Sequence, residues 1–135
     1  MSITLKELNP KNFPTTPEID ANLLDLLDKV NAVLTAIGGA YYVTSGLRTI
    51  ADQKRIYADI ARKKGLGLAY RVPMGSQHLF GCAVDIADAD GKLYEFCLDN
   101  IQLLERVGIW CEAGTVGWTH MQSKAPGSGN RFFKP

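Results

Sequence analysis

The sequence predicts an α+β fold: a small, mostly antiparallel sheet flanked by about three helices. Two patterns carry this. Segments with a helical apolar period precede and separate a few short segments rich in β-branched and aromatic residues. The last two of those short segments sit close enough to form a hairpin, which favours antiparallel pairing. A chain of 135 residues, 46% hydrophobic and 21% charged, can bury an ordinary core and is not a disordered composition. One domain over residues 1–135 is the expectation, with an extended arm at 1–16 and a surface tail at 123–135.

The elements follow in order. Pro10, Pro14 and Pro17 argue for an extended arm at the start. Thr16-Pro17-Glu18 is a helix start: a hydroxyl cap, proline at the first position, then an acid near the positive end. Ile19, Leu23, Leu26, Leu27, Val30, Val33, Leu34 and Ile37 then recur at helical spacing until Gly38-Gly39. Ala40 to Ser45 reads as a strand that Gly46 breaks. Thr49, with Asp52 in the first turn, opens a second helix through Lys64, closed by Gly65. Residues 65–77, with Gly65, Gly67, Pro73 and Gly75, read as a loop. Cys82 to Ala87 reads as a strand, Asp88 to Gly91 as a turn, and Lys92 to Arg106 as a third helix closed by Gly108. Ile109–Glu112 and Val116–Gln122 form the hairpin.

Several function classes fall away. Fifteen basic against fourteen acidic side chains give a net charge of +1, which argues against non-specific nucleic-acid or membrane-surface binding. No apolar run approaches a membrane span, so no integral membrane association is expected. Residues 1–12 lack the apolar stretch of a signal peptide, so synthesis in the cytoplasm is expected. The odd number of cysteines, Cys82, Cys97 and Cys111, reads as small buried apolar residues and not as a disulfide scaffold. Asp88-x-Asp90-Gly91 looks like part of a calcium loop, but Ile86 and Cys97 stand where oxygen ligands would be needed, so a turn and helix cap is preferred. Arg62-Lys63-Lys64 reads as a solvated helix end.

The chemistry concentrates around the two histidines. His78 stands in Ser76-Gln77-His78-Leu79-Phe80-Gly81-Cys82-Ala83-Val84-Asp85, and His120 in Gly117-Trp118-Thr119-His120-Met121-Gln122. Two neutral imidazoles and one carboxylate suit zinc, and three protein ligands leave a fourth position open, as in catalytic sites. Gly81, Val84 and Ile86 favour a loop, a tight turn and a strand that projects Asp85 over a helix carrying both His78 and Asp85. Strand alternation puts Trp118, His120 and Gln122 on one face, so His120 would meet a cleft between an aromatic wall and an amide. Spacing alone leaves each histidine open to a second reading, as an ordinary hydrogen-bonded residue.

Ser76-x-His78-x-x-Gly81-x-Ala83-x-Asp85-Ile86, preceded by Ser45-Gly46-Leu47-Arg48 and followed by Trp118-Thr119-His120, resembles the zinc D-alanyl-D-alanine carboxypeptidase family. That family includes L-alanyl-D-glutamate endopeptidases, other peptidoglycan peptidases and phage endolysins, and shares its zinc site with the hedgehog domain. The match spans about residues 40–122. It implies a fold of that kind, Zn2+ held by His78, Asp85 and His120, and peptidoglycan peptides as substrate. It implies that Arg48 binds the substrate carboxylate or the developing oxyanion, that Ser76 hydrogen-bonds near the metal, and that Gln77 lines the substrate cleft; Trp118, an aromatic on the same strand face as His120, is a further candidate to shape that cleft. One departure stands out. Many members carry the catalytic acid three residues before the last histidine, where this chain has Gly117. Glu112 is the nearest upstream acid: either the general base, reaching across the hairpin, or an exposed strand-end side chain. The expectation is therefore a zinc peptidase of phage-type cell-wall lysis, acting at the wall after release or as a virion component. The alternative is a non-catalytic zinc-binding phage structural or wall-binding module.

Overall fold

The computed structural model describes residues 2–65 and 75–134. Helix α1 spans Leu5–Leu8, α2 Pro17–Ile37 and α3 Ile50–Lys64. Strand β1 spans Val43–Ser45, and β2 spans Ala83–Asp88 after a 3-10 turn at Gln77–Phe80. Helices α4 (Lys92–Asp99) and α5 (Ile101–Val107) follow, then β3 (Trp110–Glu112), β4 (Gly117–Gln122) and β5 (Phe132–Phe133). Of the loop expected over 65–77, the part carrying Gly67 and Pro73 lies outside the described residues.

The fold is α+β as expected. The five strands form one sheet in the order β1-β2-β4-β3-β5, antiparallel except for the β3–β5 pair. Apolar side chains from α2, among them Leu26, Val30, Val33 and Leu34, bury against Val84, Ile86 and Met121 on one face of the sheet. Leu93, Cys97 and Leu104 add the faces of α4 and α5 to the same core. Each fully buried aliphatic side chain of this kind contributes about 1.5–3 kcal/mol of burial free energy. All three cysteines are buried and unlinked. Among the described residues, no helix is long and apolar enough to cross a membrane.

The helix starts at Thr16 and Thr49 form as the sequence predicts. Each hydroxyl accepts a backbone N–H three residues on, from Ile19 and from Asp52. The turn before α4 is held by Asp88, whose carboxylate accepts from the N–H groups of Leu93 and Tyr94 and from the Thr119 hydroxyl. Asp88 is therefore a cap that also ties α4 to β4.

Four expectations need correction. The arm at 1–16 is not wholly extended. Thr4 and Glu7 form a capping box, and Pro10 comes after the helix it would otherwise break. The segment 123–135 is not wholly a surface tail, because Phe132 and Phe133 pair with Cys111 and Glu112. The helix expected over Lys92–Arg106 is broken at Asn100, whose side-chain amide donates to the Phe96 carbonyl while its backbone leaves the helical region. The strand expected from Ala40 begins only at Val43. Elsewhere the strand ends differ from expectation by one residue.

Candidate metal centre and cleft

The sheet register assembles the site. Ser45 pairs with Asp85, Asp85 with His120, and Glu112 with Phe133. Trp110 pairs with Gln122 and Cys111 with Met121, so the next position on β3, Glu112, falls opposite His120. One row of residues therefore crosses all five strands: Ser45, Asp85, His120, Glu112, Phe133. Alternation sends Ile86, Thr119 and Met121 into the interior, where all three are fully buried, and this row to the other face. The face opens into a cleft of about 570 Å³, within the usual range of small-ligand sites. His78, Arg48, Ser76, Gln77 and Trp118 also line it, so each sequence-predicted site residue reaches this one cleft.

His78 arrives from the 3-10 turn and is almost wholly buried. Ser76 caps that turn by accepting the His78 backbone N–H at 3.4 Å. The His78 Nδ1 lies 2.9 Å from the Gly46 carbonyl, an acceptor only, so Nδ1 carries the proton and Nε2 presents a lone pair. That Nε2 lies 3.4 Å from Asp85 Oδ1. His120 is turned the other way round. Its Nε2 meets Gln122 Oε1 at 2.8 Å and its Nδ1 meets Asp85 Oδ1 at 2.9 Å. Ligand atoms of His78, Asp85 and His120 all lie within 4.8 Å of one another.

This donor set fits a divalent cation. The outer nitrogen of each imidazole gives its proton to a fixed acceptor, so two lone pairs and a carboxylate oxygen converge on one point. Three acceptors facing each other repel unless a positive charge lies between them. Without metal, a proton can supply that charge. Burial opposes a charged imidazole at His120, but the Asp85 carboxylate outweighs it and raises the His120 pKa. Burial likewise opposes the Asp85 charge, and the His120 and His78 imidazoles beside it outweigh that, holding the carboxyl well below the usual range.

Arg48 is anchored. Its Nε and Nη2 donate to Ser45 Oγ at 3.1 and 2.9 Å, and its Nη1 donates to the fully buried Gln53 Oε1 at 3.1 Å. Its Nη2 also stands 3.6 Å from Asp85 Oδ2, on the side away from the histidines. The Arg48 backbone N–H donates to the His78 carbonyl. Most of the guanidinium donors are thus engaged inside the protein, which leaves part of the fork for a ligand.

Glu112 reaches the cleft from β3, and Gly117 does not compete for its place. Gly117 has φ +90°, a conformation that side-chain-bearing residues rarely adopt, so an acid at that position would be strained. Tyr57, Phe133 and Lys134 also line the cleft, and the sequence reasoning missed them. Phe133 packs edge-on to the His120 ring at 5.9 Å. Its signal was a pair of phenylalanines in an otherwise polar segment; Tyr57 and Lys134 left none.

No protein-family model and no curated protein matches the chain. Among solved structures, the L-Ala D-Glu endopeptidase ChiX of Serratia marcescens is similar, with 19% sequence identity and a TM-score of 0.52. The match covers 90% of this chain and 98% of that one. At that identity the likeness carries the fold: the sheet and helices that build this cleft share the architecture of that endopeptidase.

Proposed function

We propose that the protein is a zinc-dependent peptidase that hydrolyses peptide bonds in the stem or cross-link peptides of bacterial peptidoglycan. The observation that carries this is the convergence of His78 Nε2, Asp85 Oδ1 and His120 Nδ1 in a cleft that Glu112 also faces. The likeness to an L-Ala D-Glu endopeptidase and the sequence motifs both agree with the substrate class. The phage-lysis setting implied by the family resemblance belongs to the same reading.

His78, Asp85 and His120 would hold the ion. When bound, zinc supplies the Lewis-acid charge that polarises a carbonyl and lowers the pKa of a water. The Glu112 carboxylate takes a proton from the attacking water and returns it to the departing amine. The bond formed is carbon–oxygen, the bond broken is the peptide carbon–nitrogen, and one water is consumed. Arg48, fixed by Ser45 and Gln53, keeps Asp85 oriented and turns its remaining N–H toward the substrate carboxylate or the oxyanion. Gln77 and Trp118 form walls for the peptide.

The test uses purified zinc-loaded protein and soluble muropeptides, with products read by mass. Wild type should cleave, and Glu112→Gln should keep its zinc and lose about 10²–10⁴-fold in rate. Bound zinc without cleavage by the wild type would favour the wall-binding module instead, and a protein that takes up no zinc would overturn both.

A further inference from the structure

Gln122 makes two bonds that no catalytic step requires. It is 5% exposed, and its Oε1 meets His120 Nε2 at 2.8 Å. Its Nε2 donates to the Lys124 carbonyl at 2.7 Å. A carbonyl only accepts, so the amide nitrogen must face Lys124 and the amide oxygen must face His120. With the amide fixed that way, His120 must carry its proton on Nε2. A neutral ring with the proton on Nδ1 would set two lone pairs against each other at that distance. Beyond Lys124 the chain continues to Pro126 and Gly127, which form part of the cleft wall.

We infer that Gln122 is a positioning residue with two jobs: it fixes His120 with Nδ1 free for the metal, and it pins the cleft wall after β4 through the Lys124 carbonyl. The inference rests on the metal site proposed above and adds to it a link between the metal ligand and the wall that meets substrate. Because the two bonds come from opposite ends of one amide, they can be separated. A glutamate at 122 can still accept from His120, but when ionised it cannot donate to Lys124. A leucine can do neither.

The experiment measures zinc affinity by competition with a chromogenic chelator for wild type, Gln122→Leu, Gln122→Glu and His78→Ala. Limited trypsin cleavage of the Lys124–Ala125 bond is followed on the same metal-free proteins, with a melting curve for each. Gln122→Leu should bind zinc about 10–100-fold more weakly, the usual effect of losing a residue that orients a ligand. Gln122→Glu should restore affinity to near the wild-type value. Both variants should be cut after Lys124 faster than wild type. If Gln122→Leu folds and binds zinc like wild type while His78→Ala does not bind, the inference fails and the metal site stands. If Gln122→Leu melts too low to load, Gln122→Glu decides: weak zinc binding in that folded variant overturns the positioning role. If the wild type itself binds no zinc, the proposed function falls, and this inference with it.

Discussion

Asp85 uses its two oxygens for different neighbours. Oδ1 faces both imidazoles, and Oδ2 faces the guanidinium of Arg48. A carboxylate held from behind in this way cannot rotate out of the cleft without breaking contact with Arg48, which is itself bonded to Ser45 and Gln53. Lysine at position 48 would keep the charge but has no planar fork to reach Ser45, Gln53 and Asp85 together. Arg48→Lys should therefore cost about 1–3 kcal/mol, the worth of one or two charge-assisted hydrogen bonds, measured by urea unfolding of the metal-free protein. The same change should lower kcat/KM on muropeptides by roughly 10–100-fold, because a misplaced ligand spoils the reacting geometry. At this scale the sequence was informative where the chemistry is local. His78 and His120 are the chain's two histidines, and they and Asp85 stand in short motifs. Gln53 is as buried as any core leucine, yet a glutamine on a helix gives no sign of which arginine it will meet.

At the scale of elements, a backbone contact at Gly46 couples the N-terminal helix to the candidate metal centre. A Cβ at Gly46 would lie 2.3 Å from the Leu8 carbonyl oxygen, and backbone atoms cannot move aside as a flexible side chain can. Leu47 donates its N–H to that same Leu8 oxygen, while the Gly46 carbonyl takes the proton of His78. Gly46→Ala must push α1 away or twist β1. The expected cost is about 1–3 kcal/mol, as for other overpacked sites, read from denaturant midpoints. Zinc affinity should fall with it, whereas a change confined to α1 would leave affinity intact. Caps and glycine stops at Thr16, Thr49, Gly38 and Gly65 could be read directly, since each is settled within one turn of chain. The pairing of β5 beside β3 and the seating of Gly46 on Leu8 depend on segments roughly 20 to 40 residues away, beyond the reach of any local pattern. The Thr4–Glu7 box lies in the segment that the following prolines marked as extended. The start of α3 offers a pH test. Arg55 first, and Lys11 with it, hold the Asp52 carboxyl below its ordinary 3.8 against the effect of burial. A depressed folded pKa stabilises the protein above the unfolded value, and that contribution is lost as pH falls through the folded one. Asp52→Asn should then be less stable than wild type by roughly 0.2–1 kcal/mol at neutral pH, with the gap closing below the ordinary value. An acid titration of both proteins by circular dichroism would reveal a gap that does not close.

Over the whole molecule, the row from Ser45 to Phe133 means that one ion would tie together parts of the chain that are distant in sequence. Its ligands come from the 3-10 turn, β2 and β4, and their outer partners from the residue after β1 and from the end of β4. Binding to the folded form alone stabilises it by RT ln(1 + [M]/Kd), about 4 kcal/mol when free metal exceeds Kd a thousandfold. For a chain between the small and medium size classes, that is a rise in Tm on the order of 10 °C. Excess chelator should remove this increment from wild type in a thermal scan, and added zinc should restore it. His78→Ala should melt at one temperature whether or not chelator is present, since two remaining ligands hold an ion poorly. A wild-type melting curve that chelator and zinc both leave unmoved would mean that the three convergent ligands are stabilised by a proton alone, as their mutual hydrogen bonds allow in the metal-free chain.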